Sequence, residues 1–446
     1  MNKNEENSVN EQKVENHLEK YINTYKNKAN NNEKETSNEQ LLIYTVTYNI
    51  HGNMPDDKEI PLLFPKKEEL NKFDIFVINT QECLRSISAS FFVNSKEPWV
   101  YALKSFFGNN YENIINSNLG ALHISIFVKK EKVMHFHDLR SGEIKTGFLN
   151  LMANKGAVSA SMKCYDKNIL FISCHLASGQ NNQVERNNSL YRIGTSLSNT
   201  VNKQSCNRLK TLKKTMTLEK NKMMNEKNDK LKRANSFEIQ NIEEEKKSNE
   251  ANSQNDKETN KNKENENNED NKNIDLDDKN ENIEIIRDNN KKEENEDDDD
   301  EKDKSIEDYD FVIMSGDFNY RLDIKEDEVN NYMVKNDPEI LWEKDQFTTD
   351  IKEKNNYREG IINFMPTYKY KELSNEYDYS RIPGWTDRIL YKSKDYYDIM
   401  LCEYSSIQNI NISDHKPVYA VFKINCKISK DPKVNIPNRV QECNII

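Results

Sequence analysis

The segment 314–321, Met-Ser-Gly-Asp-Phe-Asn-Tyr-Arg, carries two polar side chains that could act together on one substrate. Asp317 and Asn319 stand two residues apart, and on an extended backbone such positions project from the same side of the chain. A carboxylate there can hold a water molecule, and an amide can donate a hydrogen bond to an oxyanion. The pair alone is weak evidence, because Asp and Asn are also common turn residues after strands.

Further polar residues flank other strand-like apolar runs of the sequence. Asn49, Glu82 and His175 each stand at the end of such a run. Asp414 stands just before the last run. Singly, each residue has a purely structural explanation, such as a turn, a helix start or a buried histidine. Together they favour a site for a hard, oxygen-ligated cation such as Mg²⁺ with a general base beside it, and no Cys/His cluster of the zinc type occurs.

The elements that must position these groups are strands that alternate with helices and loops. Their β-branched and aromatic content predicts strands at 41–47, 73–78, 120–128, 157–162, 168–173, 311–314, 388–391 and 417–422. Helices are expected near 66–72, 181–197 and 324–335. Several strands are apolar almost throughout, which is typical of sheets buried on both faces.

Composition limits how much of the chain can fold. The chain has 446 residues, of which 32% are charged, and a formal net charge of −11. Residues 1–38 and 200–308 are so rich in Asn, Lys, Glu and Asp that we expect both segments to be disordered. The remainder predicts one catalytic domain over residues 39–425, interrupted by the insertion 200–308, and a tail over 426–446.

Cysteine usage and hydropathy bear on the compartment. The seven Cys include no CxxC pair, which favours a reduced, cytoplasmic protein. The N-terminus has no apolar run of the signal-peptide type. No stretch approaches the roughly 20 apolar residues of a membrane span.

Nine motifs, in order along the chain, resemble those of the inositol polyphosphate 5-phosphatases, within the deoxyribonuclease-I-like family of Mg²⁺-dependent phosphoesterases. They are TYNIHG (47–52), TQE (80–82), NKGAV (154–158), SCHLA (173–177), ERN (185–187), GDFNYRL (316–322), PTYKY (366–370), RIPGWTDRIL (381–390) and SDHKP (413–417). The resemblance implies an α/β (α+β) four-layer sandwich in which two mixed β-sheets pack face to face with helices outside. It places the site at one end of the sandwich.

The resemblance also implies how the site would work. Asn49 and Glu82 would hold the Mg²⁺, with Asp414 nearby. Asp317 would orient or deprotonate the attacking water, and Asn319 would donate to a phosphoryl oxygen in the transition state. The expected reaction is hydrolysis of a phosphate monoester by in-line attack of water.

Two histidines complete the implied catalytic group. His415 would lie at the phosphate, oriented by Asp387 through a carboxylate–imidazole bond. His175 would contact the scissile phosphate from the other side. The sequence leaves open whether Asp317 or His415 is the base.

Substrate recognition is implied by the motifs that separate 5-phosphatases from nucleases. Tyr368, Lys369 and Arg381 resemble the group that binds the phosphate at the 4-position of the inositol ring. Asn154 and Lys155 resemble the loop that contacts the 1-phosphate. A phosphoinositide and a soluble inositol phosphate both remain possible substrates, and the oligomeric state is left open.

Three departures from the family pattern fall near the site. Tyr379 stands where a second Lys or Arg is usual, which makes the 4-phosphate pocket less cationic. Ala157 replaces a usual Gly in the loop that faces the 1-phosphate. His51 replaces a usual Asn near the strand that carries the metal ligand. None of these changes removes a catalytic group.

Two other classes of function fit parts of the sequence less well. A nuclease of the same superfamily needs a basic surface, and the acidic chain indicates no nucleic-acid partner. A scaffold acting through the insertion is disfavoured by the intact catalytic motifs. The basic stretch 208–233 could form a helix attracted to anionic lipid, and Cys443 partly fits a prenylation box, so peripheral membrane contact is expected.

Overall fold

The computed structural model describes residues 36–83, 96–147, 155–225, 302–395 and 398–429. The chain divides into two compact units. One unit comprises Met1–Thr211 and Glu301–Ile446 and contains both sheets; the other is Leu212–Asp300.

Strands form two sheets in the first unit. Across the described ranges they are β1 (Thr36–Asn49), β2 (Ile75–Gln81), β3 (Tyr111–Leu119), β4 (Leu122–Lys129), β5 (Phe136–Lys145), β6 (Gly156–Cys164), β7 (Lys167–His175), β8 (Thr200–Val201), β9 (Phe311–Asp317), β10 (Arg358–Glu359), β11 (Asp387–Ser393), β12 (Ile399–Ser406) and β13 (Val418–Ser429). One sheet has the order β12-β13-β1-β2-β4-β3, and the other has the order β10-β11-β9-β7-β6-β5-β8. Both are mixed, because β1 runs parallel to β2 and β7 runs parallel to β9.

Helices lie between the strands. They are α1 (Glu97–Phe107), α2 (Gln183–Ser196), α3 (203–225), α4 (Val329–Met333), α5 (Glu339–Trp342) and α6 (Thr349–Lys354). Among the described helices, none is long and apolar enough to cross a membrane.

The helix α1 covers the outer face of the six-stranded sheet. Its buried residues Trp99, Leu103 and Phe107 recur every four positions, the spacing that places side chains on one helix face. They join an apolar cluster with Tyr44 of β1 and Phe76 of β2. The ring centroids of Phe76 and Phe107 lie 4.8 Å apart. This aromatic packing fixes the first sheet from behind.

The helix α2 covers the outer face of the seven-stranded sheet. Leu190 and Ile193 are buried in one cluster with Leu170 and Ile172 of β7. On the side where the two sheets face each other, polar side chains meet: Gln81 Nε2 of the first sheet donates to Ser173 Oγ of the second at 3.3 Å. The expected four-layer sandwich, with helices outside two facing mixed sheets, is therefore confirmed.

Several predicted elements need correction. The helix expected near 66–72 is wrong: only Leu70–Lys72 form a single 3-10 turn. The helix expected near 324–335 is shorter in the structure: a 3-10 turn at Glu326–Glu328 is followed by α4. The helix near 181–197 is confirmed by α2. The strand β3 was missed, because Asn113 and other polar residues in it obscure the alternation.

Both ends of the predicted insertion contain ordered residues. Residues 200–225 form β8 and α3, and residues 302–308 lead back into the sheet, where Asn199 pairs with Lys304. The strand β1 likewise begins at Thr36, inside the predicted N-terminal segment. Residues 1–35, 226–301 and 430–446, which include Cys443, lie outside the described residues.

Candidate active site

Four strand ends bring the predicted polar residues together. In one sheet Asn49 at the end of β1 pairs with Gln81 at the end of β2. In the other sheet His175 at the end of β7 pairs with Asp317 at the end of β9. Asn49 Nδ2 donates to Asp317 Oδ2 at 3.0 Å, so the two sheets are joined by a hydrogen bond between site residues.

Asp317 is the centre of the site. Its buried carboxylate also lies 3.2 Å from His175 Nε2 and accepts the backbone N–H of Asn319 at 3.0 Å. Burial raises the pKa of Asp317, but the hydrogen bond from His175 and nearby positive charges outweigh burial and hold the pKa below its usual value. Asp317 is therefore a carboxylate at neutral pH.

Gly316 explains how β9 approaches β7 so closely at this point. Its φ is +156°, and a Cβ there would lie 2.0 Å from the carbonyl oxygen of Cys174. Only glycine leaves room for that contact. The glycine of the GDFN motif therefore sets the separation of His175 and Asp317.

The amide of Asn319 is held in one orientation. Asn319 has a left-handed φ of 58°, and its Nδ2 donates to the carbonyl oxygen of Leu176 at 3.1 Å. Arg321 Nη2 donates to Asn319 Oδ1 at 2.8 Å, which identifies the oxygen and leaves the second N–H of Nδ2 for another acceptor. The Arg321 guanidinium also lies 4.0 Å from the ring centroid of Tyr368.

His415 contacts a buried carboxylate, as the family resemblance implies. Its Nδ1 lies 2.9 Å from Asp387 Oδ2, which also accepts hydroxyl hydrogen bonds from Thr367 and Thr386, each at 2.8 Å. Burial lowers the pKa of His415, but the charge and hydrogen bond of Asp387 outweigh burial and raise the pKa to about 9. The ring of Tyr368 packs on His415 with centroids 4.5 Å apart.

The expected metal ligands Glu82 and Asp414 flank an imidazole. His51 Nδ1 lies 3.7 Å from Glu82 Oε2 and 3.5 Å from Asp414 Oδ1. Asp414 Oδ1 is buried and makes no hydrogen bond to any residue in the described ranges. Asn49 Oδ1 accepts the backbone N–H of His51 at 3.1 Å, so the third expected ligand adjoins the same turn.

Together these contacts form a closed ring. From Asp317 it continues through Asn319, Arg321 and Tyr368 to His415. Asp414 follows, 3.9 Å from His415 Nε2, then His51 and Glu82, which lies 4.0 Å from His175 Nε2. His175 returns to Asp317.

A compact group of possible metal ligands in the described part of the chain shares two residues with this ring. Asp317, Asp387 and His415 each offer an atom within 4.8 Å of the other two. In this group His415 Nδ1 is already paired with Asp387, and that arrangement suits an oriented imidazole better than a metal ligand.

Lys155 lies beside His175. Its Nζ contacts His175 Nε2, the same atom that faces Asp317. One nitrogen cannot both accept from Lys155 and donate to Asp317, so the tautomer of the ring decides which contact is a hydrogen bond. Burial and the Lys155 charge both lower the pKa of His175. Asn154 lies outside the described residues.

The three residues expected to bind a 4-phosphate differ in their contacts. Tyr368 packs on His415 and Arg321. Lys369 Nζ lies 2.7 Å from Asp378 Oδ2, an ion pair that raises the pKa of Lys369. Arg381 is exposed, and no ion pair joins it to a residue of the described ranges.

Sequence reasoning missed Arg321, Thr367 and Thr386 as parts of the site. Arg321 stands two positions after Asn319, as Asn319 does after Asp317, so the spacing that marked the first pair would have extended to it. Thr386 directly precedes Asp387, whereas Thr367 reaches the same carboxylate from 20 positions away, and nothing in the sequence signals that contact.

The chain matches the Endonuclease/Exonuclease/phosphatase family 2 over residues 46–267 and 250–421. It is 22% identical over 416 residues to phosphatidylinositol 4,5-bisphosphate 5-phosphatase INP51 of Saccharomyces cerevisiae, covering 90% of this chain and 33% of that protein. It is 23% identical over 412 residues to phosphatidylinositol polyphosphate 5-phosphatase type IV of Rattus norvegicus, covering 89% of this chain and 47% of that protein. The chain thus spans about a third to a half of the length of these relatives.

Solved structures share the fold. The inositol polyphosphate 5-phosphatase domain of SPsynaptojanin, in complex with inositol (1,4)-bisphosphate and a calcium ion, matches with a TM-score of 0.60 at 21% identity over 93% of each chain. The ferrous NO complex of Cimex nitrophorin matches with a TM-score of 0.50 at 16% identity, covering 86% of this chain and 98% of that one. The fold alone therefore does not define the chemistry, and the side chains of the site must do so.

Proposed function

The chain belongs to the endonuclease/exonuclease/phosphatase family, and from that premise we propose that it removes the 5-phosphate from phosphoinositides or soluble inositol polyphosphates. The relatives similar over about nine-tenths of the chain carry the name 5-phosphatase. The observation that carries the proposal is the closed ring of polar side chains that begins and ends at the buried Asp317. In such a ring a carboxylate, an amide and imidazoles could act on one phosphate group, which is what phosphate-ester hydrolysis requires.

A divalent cation, which we take to be Mg²⁺, fits the oxygen donors of this site. Asn49 Oδ1, Glu82 and Asp414 would hold it, and Asp414 Oδ1 is a buried anionic oxygen without a hydrogen-bond donor in the described ranges. When bound, the ion would neutralise charge on the phosphate and on the departing inositol oxygen.

Asp317 is the residue best placed to receive the proton of the attacking water. Its Oδ2 accepts from Asn49 and faces His175, whereas its Oδ1 accepts from the backbone of Asn319 and keeps a second lone pair. A water on that lone pair would be oriented by a carboxylate held from three sides. We therefore assign the base to Asp317 rather than to His415.

The remaining groups would stabilise charge on the phosphoryl oxygens. Asn319 would donate the free N–H of its Nδ2, which Arg321 has oriented. His415 beside the Asp387 carboxylate favours its charged form, and an imidazolium there would attract the phosphate. Lys155 would supply a second positive charge next to His175.

We propose that Lys369 and Arg381 bind the 4-phosphate. Tyr368, which packs on His415, would lie between this phosphate-binding pair and the catalytic residues. Lys369 would have to exchange its ion pair with Asp378 for one with the substrate. An exposed Arg381 is free to reach a dianion. We expect a preference for substrates that carry the 4-phosphate to depend on both cations.

We further propose that the protein works in the cytoplasm in peripheral contact with membranes. The described part of α3 is basic, and it exposes Leu218, Met223 and Met224 by 60%, 70% and 55%. Basic helices with exposed apolar side chains suit anionic lipid surfaces.

A phosphate-release panel tests the function. Purified wild type and Asp317→Asn would be offered phosphatidylinositol 4,5-bisphosphate, inositol 1,4,5-trisphosphate and single-stranded DNA, with Mg²⁺ or with EDTA. We expect release from the two inositol compounds, loss of at least about 10²-fold in Asp317→Asn, and none in EDTA. DNA cleavage at a comparable rate would favour a nuclease instead.

A further inference from the structure

His51 lies among three carboxylates, two of which belong to the proposed ion site. Its Nδ1 is 3.7 Å from Glu82 Oε2 and 3.5 Å from Asp414 Oδ1, and its Nε2 is 3.5 Å from Glu372 Oε1. The imidazole is 47% exposed, so an ion from solvent can reach it. The backbone N–H of His51 donates to Asn49 Oδ1, but the proposed function gives its imidazole no role.

The distances are those of atoms that could share a cation. Hydrogen bonds from nitrogen to oxygen span about 2.7–3.2 Å, and both contacts of Nδ1 are longer. Two ligands that each lie about 2.1–2.2 Å from one octahedral ion are about 3.0 Å apart when adjacent and about 4.3 Å apart when opposite. The separations of Nδ1 from Glu82, 3.7 Å, and from Asp414, 3.5 Å, lie above the adjacent value, so small side-chain movements would bring the three atoms onto one ion.

The backbone holds the imidazole in this position. The N–H of Ile50 donates to the carbonyl of Gln81 at 3.1 Å, and that of Gly52 donates to the carbonyl of Glu82 at 3.0 Å. The intervening His51 has a left-handed φ of 49° and donates its own N–H to Asn49 Oδ1. The turn is thereby tied to the end of β2, where Glu82 stands.

A second observation points to a cation at the same place. Asp414 is over nine-tenths buried, and its Oδ1 faces His51 Nδ1 without accepting a hydrogen bond from any residue in the described part of the chain. An anionic oxygen in that state is costly unless a positive partner offsets its desolvation. A divalent ion between the two carboxylates would supply that partner.

We propose that His51 Nδ1 is a nitrogen ligand of the divalent ion held by Glu82 and Asp414, and that it shifts the preference of this site from Mg²⁺ towards Mn²⁺. The inference rests on the ion site of the proposed function. Oxygen donors alone suit Mg²⁺, whereas imidazole raises the affinity for transition metals relative to Mg²⁺. Glu372 then faces the far ring nitrogen, where metal-bound histidines usually find a carboxylate partner.

The test uses the full chain and the metal alone. Calorimetry would give the Mn²⁺ and Mg²⁺ affinities of wild type, His51→Asn and a control, His135→Asn, whose exposed ring stacks on Tyr165 instead. Pulsed electron paramagnetic resonance of bound Mn²⁺ would detect coupling to an imidazole ¹⁴N. Asparagine tolerates the left-handed backbone at position 51, so the variant should fold.

We expect ¹⁴N coupling in wild type and in His135→Asn but not in His51→Asn. The ratio of Mn²⁺ to Mg²⁺ affinity should fall about tenfold in His51→Asn alone, the scale for loss of a supporting group at a metal. Coupling that persists in His51→Asn, or an unchanged ratio, would overturn the proposal. If Glu82→Gln then loses metal binding, the ion site of the proposed function stands without His51 as a ligand. If neither wild type nor any variant binds Mn²⁺ or Mg²⁺, the ion site of the proposed function is wrong as well.

Discussion

The hydrogen bond between Arg321 and Asn319 predicts that Arg321 affects kcat, although it would not touch the substrate. Arg321 Nη2 donates to Asn319 Oδ1 at 2.8 Å, and both side chains are buried. A buried hydrogen bond from a charged donor contributes about 1.5–3 kcal/mol, and removing the donor leaves the amide oxygen unpaired. If that energy holds the amide in its catalytic orientation, Arg321→Met should lower kcat by about 10- to 150-fold at one decade per about 1.4 kcal/mol.

A double-mutant cycle on kcat separates positioning from direct contact. Asn319→Ala alone should lower kcat by about 10²- to 10³-fold, the usual cost of losing one oxyanion donor. If Arg321 acts through Asn319, adding Arg321→Met to Asn319→Ala should change kcat by less than about threefold. The KM of Arg321→Met should stay near that of wild type, and Arg321→Lys should recover part of kcat.

The assay is phosphate release from inositol 1,4,5-trisphosphate under saturating and subsaturating conditions. If the double variant loses kcat by the product of the two single-variant factors, Arg321 does not act through Asn319, and the positioning role is refuted. A large rise in KM with kcat unchanged would instead show that Arg321 binds the substrate directly.

Three further predictions concern stability and pH, each measured by denaturant unfolding of the folded chain. Burial lowers the pKa of His123 to about 3 from 6.5, so the unfolded chain binds more protons between these values. The free energy of unfolding should therefore fall as pH drops below about 6.5, by up to about 1.4 kcal/mol per pH unit, and His123→Gln should lose this slope. Arg388 Nη1 lies 3.1 Å from the buried Glu359 carboxylate, and Arg388→Met removes this partner. The free energy of unfolding should fall by about 3–5 kcal/mol. In the control Lys72→Met, which breaks an exposed ion pair with Glu69, it should fall by less than about 1 kcal/mol. Gly316→Ala should lower the free energy of unfolding by about 3 kcal/mol and abolish activity, because a Cβ there would meet the backbone of β7 at 2.0 Å. An unchanged pH slope in His123→Gln, or stability equal to wild type in Arg388→Met or Gly316→Ala, would contradict the respective prediction.

The convergence of the strand ends could be predicted from the sequence. Apolar runs identify buried strands by their own composition, and the polar residue that ends each run is visible beside it. Asn49, His175 and Asp317 were located in this way, and the structure joins them by hydrogen bonds or close contact. Local patterns suffice where a site is assembled from the ends of strands.

Contacts that depend on loops could not be predicted in the same way. Tyr368 is predicted to bind substrate, and its packing on His415 could not be foreseen, because the paths of two loops decide which face of the ring is covered. Lys369 has the charge expected of a phosphate-binding residue, yet only the fold brings Asp378 to it. Long-range pairings of this kind carry no periodicity that a sequence pattern could reveal.

The strand β3 shows a second limit. Asn113 is buried, and its Nδ2 donates to Ser125 Oγ of β4 at 2.9 Å. The hydrogen bond satisfies the polar group inside the protein, so the position is interior although the residue type is typical of a loop. Hydrophobic patterning cannot identify a strand whose buried positions are occupied by paired amides.

The measurement that tests the central claim most directly is identification of the phosphate that leaves inositol 1,4,5-trisphosphate, by ³¹P nuclear magnetic resonance of the products. With wild type and Mg²⁺ we expect inorganic phosphate and inositol 1,4-bisphosphate, and with Asp317→Asn a rate at least about 10²-fold lower. Loss of the 1- or 4-phosphate instead, or an equal rate in Asp317→Asn, would contradict the assignment of this site as a 5-phosphatase centre built around Asp317.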